Sequence, residues 1–319
     1  MTDPPAGGSG SHKRPRRRRG PLQLVSPYLM VAPAILGVLF LLFYPVVKNA
    51  ILGFKEYGRR DFTLGLSGKW IGLDNFTEIF QDKEFWTVTW RSFWFTGINV
   101  VAIMVASTLI ALMLARLGKI MRVAVLTGLV CAWAMPIIAA TTVFKWMFRS
   151  DNGVANYLLV KLGFDSFDNY TWFADGKSTM TVIILLIVWQ SIPFATLTIY
   201  AGLTTVPDEV YESARLDGAG PVRIFTSITF PMLRPLFLLV TSLEVIWIFK
   251  CFAQMWSLAG QNGPIGEVAT LPVYAYQTGM QLKRYGVAGA ISTVTVLILA
   301  VMLVFYFRQL FKQEREAEK

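Results

Sequence analysis

The sequence predicts an all-α integral membrane protein of about six transmembrane helices, with both termini in the cytoplasm. Three observations carry this. Hydrophobic residues make up 54% of the 319 and charged residues only 16%, too apolar a balance for a soluble domain with a wetted surface. Six continuous apolar runs each reach the roughly 20 residues a helix needs to cross a bilayer; a membrane β-barrel shows short alternating segments instead. Lysine and arginine are biased between the loops, 15 in segments placed inside and 11 in segments placed outside. Most of the outside ones lie near Asp or Glu, and the bias sets the orientation.

The first 27 residues read as a disordered basic cytoplasmic tail. Its block HKRPRRRR, His12 to Arg19, packs like charges after Gly, Ser and Pro and cannot fold compactly. The apolar run behind it is too long for a signal peptide and ends in no small-residue cleavage site, so it reads as a retained helix. A basic tail beside a span acts as a topology signal near anionic lipid, and no nucleic-acid partner is expected. His12 is the sole histidine, which leaves no histidine-based acid-base or metal chemistry for the membrane.

The transmembrane domain is expected over 28–307, with spans near 29–52, 92–117, 123–148, 180–203, 230–256 and 287–307. Arg116, Lys119 and Arg122 form a short inside loop. The last residues, 308–319, form a second cytoplasmic tail carrying Arg308, Lys312, Arg315 and Lys319. Tyr28, Tyr44, Trp86, Trp90, Tyr200 and Trp256 suit the interfacial belts. Outside segments at 53–91, 149–179 and 257–286 have room for short interfacial helices. One is expected over 74–85, with Phe76, Ile79 and Phe80 on one face. Cys131 and Cys251 fall within spanning runs without metal-ligand spacing and read as buried small apolar side chains. Pro136 and Pro193 fall inside the third and fourth runs, where they bend the helix and free a carbonyl.

The inside loop 204–229 between the fourth and fifth runs is built as two short helices with a sharp turn. Pro207 fits a first helical position, and Asp208 and Glu209 sit where the helix dipole favours negative charge. Val210 and Ala214 share a face. Asp217 and Gly218 stop the first helix, because glycine takes the left-handed conformation a C-terminal cap needs. Gly220 and Pro221 start the second, and Pro231 and Pro235 mark a bend before the fifth span.

Within that loop, Glu212-Ser213-Ala214, then Asp217-Gly218-Ala219, then Phe225, Ile228 and Pro231 resemble the EAA loop of bacterial ABC import permeases. The family pattern is Glu-Ala-Ala, two residues, Asp-Gly-Ala, and later Ile-x-Leu-Pro. Ser213 and Phe230 are the departures, small for small and apolar for apolar. Ala32-Pro33-Ala34, Ile71-Gly72-Leu73-Asp74-Asn75-Phe76 and Tyr285-Gly286-Val287-Ala288-Gly289-Ala290 extend the resemblance to the carbohydrate branch, the maltose-type first permease subunit, over most of the chain. There is no large extracytoplasmic domain, and there are fewer spans than in the maltose permease itself.

The resemblance implies the type I importer permease fold in a bacterial inner (cytoplasmic) membrane, multi-pass. It also implies that the loop acts as a coupling helix in a cleft of a cytoplasmic ATPase, through Pro207, Glu209, Glu212, Ala214, Asp217, Gly218, Ala219, Pro221 and Phe225. The implied partners are a second homologous permease subunit, an ATPase dimer, an extracytoplasmic solute-binding protein, membrane lipid and a sugar substrate. No cofactor is expected in this chain, with ATP and Mg²⁺ bound by the partner ATPase. Accordingly, the nearest phosphate-loop match, Thr171 through Gly176-Lys177-Ser178, lacks the first glycine and lies in an outside loop.

Ionisable groups in spans are costly and mark functional candidates. Glu244 is deep in the fifth run, whereas Lys145 and Lys250 can snorkel. Hydroxyl-rich substrates suit amides and carboxylates beside aromatic faces, so Asn99, Trp189, Gln190, Glu244, Trp247 and Gln254 form the candidate substrate path, with Trp133 and Tyr200 as further stacking surfaces. Each also reads as a helix-to-helix hydrogen bond or interface anchor. The same architecture carrying a glycerol phosphodiester or a polyamine stays open. An ion-driven secondary transporter would show paired half-repeats and no docking loop, and no nucleophile, base and orienting group converge on an enzyme site.

Overall fold

The computed structural model describes residues 21–260 and 263–317, with side chains described from 30 to 309. The tail expected at 1–27 therefore lies outside the described residues up to position 20, His12 included, as does Lys319. The chain divides into two units at Lys48. The first is helical from Pro21: α1 comprises Pro21–Val38, a π turn at Leu39–Phe43, and Tyr44–Gly53, which ends in the second unit.

After α1, Lys55–Glu56 pairs antiparallel with Lys69–Trp70 around α2 (Arg59–Leu64). Helices α3 (Asp74–Gln81) and α4 (Lys83–Arg116) follow, the junction set by Asp82, whose carboxylate accepts from the Glu84 amide as an N-cap. Then come α5 (Lys119–Trp133), α6 (Ile137–Met147), α7 (Val154–Lys161), α8 (Gly176–Leu203) and α9 (Asp208–Leu216). The chain continues as α10 (Pro221–Phe249), α11 (Ala253–Ala259), α12 (Ile265–Val268), α13 (Leu271–Tyr276) and α14 (Tyr285–Ala317).

Five described helices are long and apolar enough to cross a membrane: Met30–Gly53, Lys83–Arg116, Gly176–Leu203, Pro221–Phe249 and Tyr285–Gln309. The third run is not one straight helix. Its halves α5 and α6 meet at 99°, because Pro136, at ψ 140°, has no N–H to continue the ladder and becomes the N-cap of α6. Pro193, by contrast, sits inside an unbroken α8. The fifth run also ends sooner than expected, at Phe249, with Gln254 and Trp256 on the separate α11. At its start it is longer, since the second helix of the inside loop runs straight into it, past Pro231 and Pro235.

Helix α4 packs along α8, with Ser107 Oγ donating to Ile192 O at 3.2 Å beside Pro193. Phe95 and Ile103, Ile183 and Leu186, Val240 and Ile248, and Met255 make one core across α4, α8, α10 and α11. Between spanning helices such side chains stabilise by close packing rather than by removal from water. Cys251 is buried as expected, but Cys131 is exposed, because α5 turns that face away from the core. Phe80 is also exposed, while Ile79 is buried under α14.

The segments placed outside bond to one another. Arg91 donates to Gly266 O and Ala269 O at 3.0 and 2.9 Å, Gly176 N–H to Glu267 at 2.7 Å, and Arg284 pairs with Glu78 at 2.6 Å. Tyr274 donates to Asp82 at 3.0 Å; burial and that carboxylate push its hydroxyl pKa up. The motifs at 71–76 and 285–290 meet in this layer. The buried Asn75 amide donates to Gly53 O and Lys55 O at 2.8 and 2.9 Å. Gly289 lies so close that a Cβ there would stand 2.8 Å from Asn49 O and Gly53 N. Those two motifs therefore build a backbone crossing between α14 and the end of α1. At the opposite end, Arg122 caps Leu114 O and Leu117 O at 3.1 and 2.8 Å, completing the C-terminus of α4.

Candidate functional site

The inside loop is two helices joined by a cap whose hydrogen bonds spell out its sequence. Pro207 is the N-cap of α9 at φ −60°, ψ 137°, one position before the first helical place expected for it. Asp208 and Glu209 fill the first turn, and Arg215 the last. Beyond the C-cap Asp217, Gly218 takes φ +74°. Its N–H donates to Arg215 O at 3.0 Å, and the Ala219 N–H reaches back to Ala214 O at 3.0 Å. This pair is the Schellman arrangement, which asks for glycine at the left-handed position and apolar residues at Ala214 and Ala219. Gly220 then caps α10, and Pro221 is its first residue.

A π turn at Phe225–Thr229 joins the loop to the spanning part of α10. Such turns recur at functional sites. Beneath the loop, Ala111 of α4, Ile199 and Leu203 of α8, Val206, and Leu233 and Phe237 of α10 form a buried cluster that Tyr211 and Phe225 pack onto. Thr229 Oγ1 lies 3.4 Å from the Tyr211 hydroxyl and ties α9 to α10. The loop is thus fastened to three spanning helices on one side. Its other side carries the exposed Pro207, Glu209, Glu212, Asp217, Gly218 and Pro221, together with Leu216 at 89% and Val222 at 75% exposure. The burial state of Leu216 and Val222 could not be read from hydropathy, which registers them only as ordinary helix residues.

A second feature lies where the helices break. A cavity of about 530 Å³ opens at the α5–α6 junction and the α10–α11 junction, with Trp133, Met135, Gln190, Ser191, Trp247, Lys250 and Gln254 in its wall. Gln254 Nε2 donates to Gln190 Oε1, and Cys251 Sγ to Gln254 Oε1, both at 3.2 Å. Trp133 and Trp247 flank Phe194 at ring distances of 6.4 and 5.1 Å. Irregular backbone at membrane depth is tolerated where it lines a cavity, and two helix breaks meet here. Of the candidate path, Gln190, Trp247 and Gln254 come together.

The other three candidates do not. Asn99 is buried between helices, donating to Phe95 O at 2.8 Å. Trp189 packs on Phe144 at 5.7 Å. Glu244 is fully buried behind the wall; Ser191 approaches it, and neither carboxylate oxygen has a hydrogen bond of full geometry. Gly176-Lys177-Ser178 proves to be a helix start: Asp175 accepts from the Lys177 and Ser178 amides at 2.8 and 3.1 Å. The Ser178 hydroxyl bond holds the Asp175 carboxyl below its usual range.

Residues 107–315 match the family model described as "Binding-protein-dependent transport system inner membrane component". The chain is 44% identical over 310 residues to the diacetylchitobiose uptake system permease protein DasB of Streptomyces coelicolor, covering 97% of this chain and 93% of that one. It is 31% identical over 280 residues to the sulfoquinovosyl glycerol transport system permease protein SmoG of Agrobacterium fabrum, covering 88% of each. In fold it matches a bacterial ABC transporter involved in the import of the acidic polysaccharide alginate, with a TM-score of 0.78 at 22% identity, over 91% of this chain and 97% of that one. The chain belongs to the binding-protein-dependent inner membrane components of ABC importers, and is a multi-pass transport permease rather than an enzyme.

Proposed function

We propose that this permease moves a small saccharide through the cavity at the two helix breaks, with 204–229 as the loop through which a separate ATPase drives alternating access. The observation that carries the saccharide is the cavity wall: two facing amides, Gln190 and Gln254, beside the indoles of Trp133 and Trp247. Amides exchange donors and acceptors with sugar hydroxyls, and aromatic faces cover the apolar face of a ring. The names of the relatives, which include diacetylchitobiose uptake and arabinooligosaccharide transport, support the same class.

The loop supports the drive. Its cap geometry makes α9 a stiff unit, its inner face is packed on α4, α8 and α10, and its outer face presents Leu216 and Val222 uncovered. A force on that outer face is transmitted to three spans at once. The family supports the remaining parts of this reading: a second, homologous permease, an ATPase dimer that binds ATP and Mg²⁺, and an external binding protein that delivers the solute. Residues 28–307 form the permease domain in this reading, between cytoplasmic tails 1–27 and 308–319.

The experiment is ATP hydrolysis by the complete reconstituted complex with its loaded binding protein, offered diacetylchitobiose, an arabino-oligosaccharide, a glycerol phosphodiester and a polyamine. A saccharide is expected to stimulate hydrolysis, and Gln190→Leu and Gln254→Leu to weaken transport about 5- to 100-fold, the range for one or two lost hydrogen bonds. Stimulation by the polyamine or phosphodiester alone would overturn the saccharide reading.

A further inference from the structure

A larger cleft, of about 1380 Å³, lies at the inside end, between α4, α9 and α10. Its mouth is basic. Arg116, Arg122, Arg215 and Arg234 line it against a single carboxylate, Asp208, and none of the four arginines is in an ion pair among the described residues. Arg122 is fixed in place by its bonds to Leu114 O and Leu117 O and by the Tyr200 ring 5.9 Å below its guanidinium.

From that mouth two facing helical stripes lead inward. On α4, Leu112, Leu109 and Val105 recede from Arg116; on α10, Phe237 and Thr241 recede from Arg234. The twelve steps along α4 from Arg116 to Met104 cover about 18 Å of the span at about 1.5 Å per residue. Leu109 and Val105 are 63% and 55% exposed, so the apolar walls stand open.

We propose that this cleft holds an anionic phospholipid of the cytoplasmic leaflet, its phosphate among Arg116, Arg215 and Arg234 and one acyl chain between the α4 and α10 stripes. Positive charge at headgroup depth, joined to an apolar slot running toward the bilayer centre, matches both ends of such a molecule, and basic pockets between spanning helices take anionic headgroups. A soluble anion would use only the mouth. Because Arg215 stands on α9 and Arg116 on α4, the headgroup braces the coupling loop against a span. The site is separate from the saccharide cavity, and its test does not depend on the substrate.

The test is native mass spectrometry of the assembled, delipidated transporter titrated with phosphatidylglycerol or with phosphatidylcholine of the same chains, with and without inorganic phosphate. Phosphatidylglycerol is expected to be retained in preference to phosphatidylcholine and to resist phosphate. Arg116→Gln with Arg234→Gln should weaken retention about 30-fold, at about fivefold per arginine near an anionic headgroup. Leu109→Trp, which fills the slot and leaves the charges, should also lower it. Equal retention of the two lipids, full displacement by phosphate, or cross-linking of Leu109→Cys to the second permease subunit would each overturn the proposal. The lipid comparison and phosphate competition use the unaltered protein, so they decide the matter even if a variant fails to assemble.

Discussion

Replacing Gly218 separates the fold of the loop 204–229 from the docking proposed for it. At φ +74° an L-residue pays about 1–2 kcal/mol for its Cβ, and asparagine less, because it tolerates the left-handed region. The space around the position is open: a Cβ there would meet nothing within 4 Å. The position is exposed and the first side-chain atom there costs the isolated chain nothing beyond the backbone term, so a loss that grows with side-chain size at normal abundance points to what lies outside the chain. Gly218→Asn should keep near-normal uptake, Gly218→Ala should lose part of it, and Gly218→Trp should abolish it while the protein remains in the membrane at normal level. The assay is uptake of radiolabelled solute by cells carrying each variant, normalised to permease in the membrane fraction by immunoblot. Normal uptake by the Trp variant at normal abundance would refute the docking role, and equal failure of all three would show that backbone conformation, not partner contact, is what matters.

Three further outcomes follow from the outside layer. Asn75→Ala removes two bonds from a buried amide and leaves Gly53 O and Lys55 O without it; a loss of about 1–3 kcal/mol should appear as a lower melting temperature in detergent. Gly289→Val forces a side chain into the Asn49–Gly53 backbone, and overpacking of about 1–3 kcal/mol should lower the melting temperature or the amount inserted, with Gly266→Val, where space is open, as the neutral control. The Tyr274 hydroxyl is raised by burial and by its bond to Asp82, so the neutral form is favoured in the folded state. Its contribution is full below the ordinary tyrosine value of about 10 and is lost as pH rises through the raised one; Tyr274→Phe should flatten the alkaline end of a stability-against-pH curve.

The sequence carried the loop best, because its geometry is written in local terms: Gly218 for a left-handed cap, Pro221 for a helix start, Asp208 and Glu209 for a first turn. Hydropathy counted the apolar runs well, but it could not tell a bend from a break. Pro136 and Pro193 look alike in sequence, yet α8 runs on through Pro193 while α5 and α6 part at 99° around Pro136. The same blindness extended the fifth run over Gln254 and Trp256, and it is why the two breaks that frame the cavity were not visible. Residue type alone also could not divide the polar path. Asn99 and Glu244 are as polar as Gln190 and Gln254, but helix rotation turns them into the packed interior. Cys131 fell the other way, onto an exposed face. The glycine and asparagine motifs at 71–76 and 285–290 were visible as patterns, and only their meeting in space gives them a physical reason.

The central claim is that α9 is where an ATPase subunit pushes, and cross-linking tests it most directly. In a functional transporter with Cys131→Ser and Cys251→Ser, Leu216→Cys on the exposed tip is paired with single cysteines introduced along the cleft of the partner ATPase, and disulfide formation and uptake are followed together. Docking predicts a cross-link from position 216 to the cleft that blocks uptake and is reversed by reductant. Uptake that proceeds unchanged in the cross-linked complex, or an active transporter in which position 216 never reaches the ATPase, would contradict it.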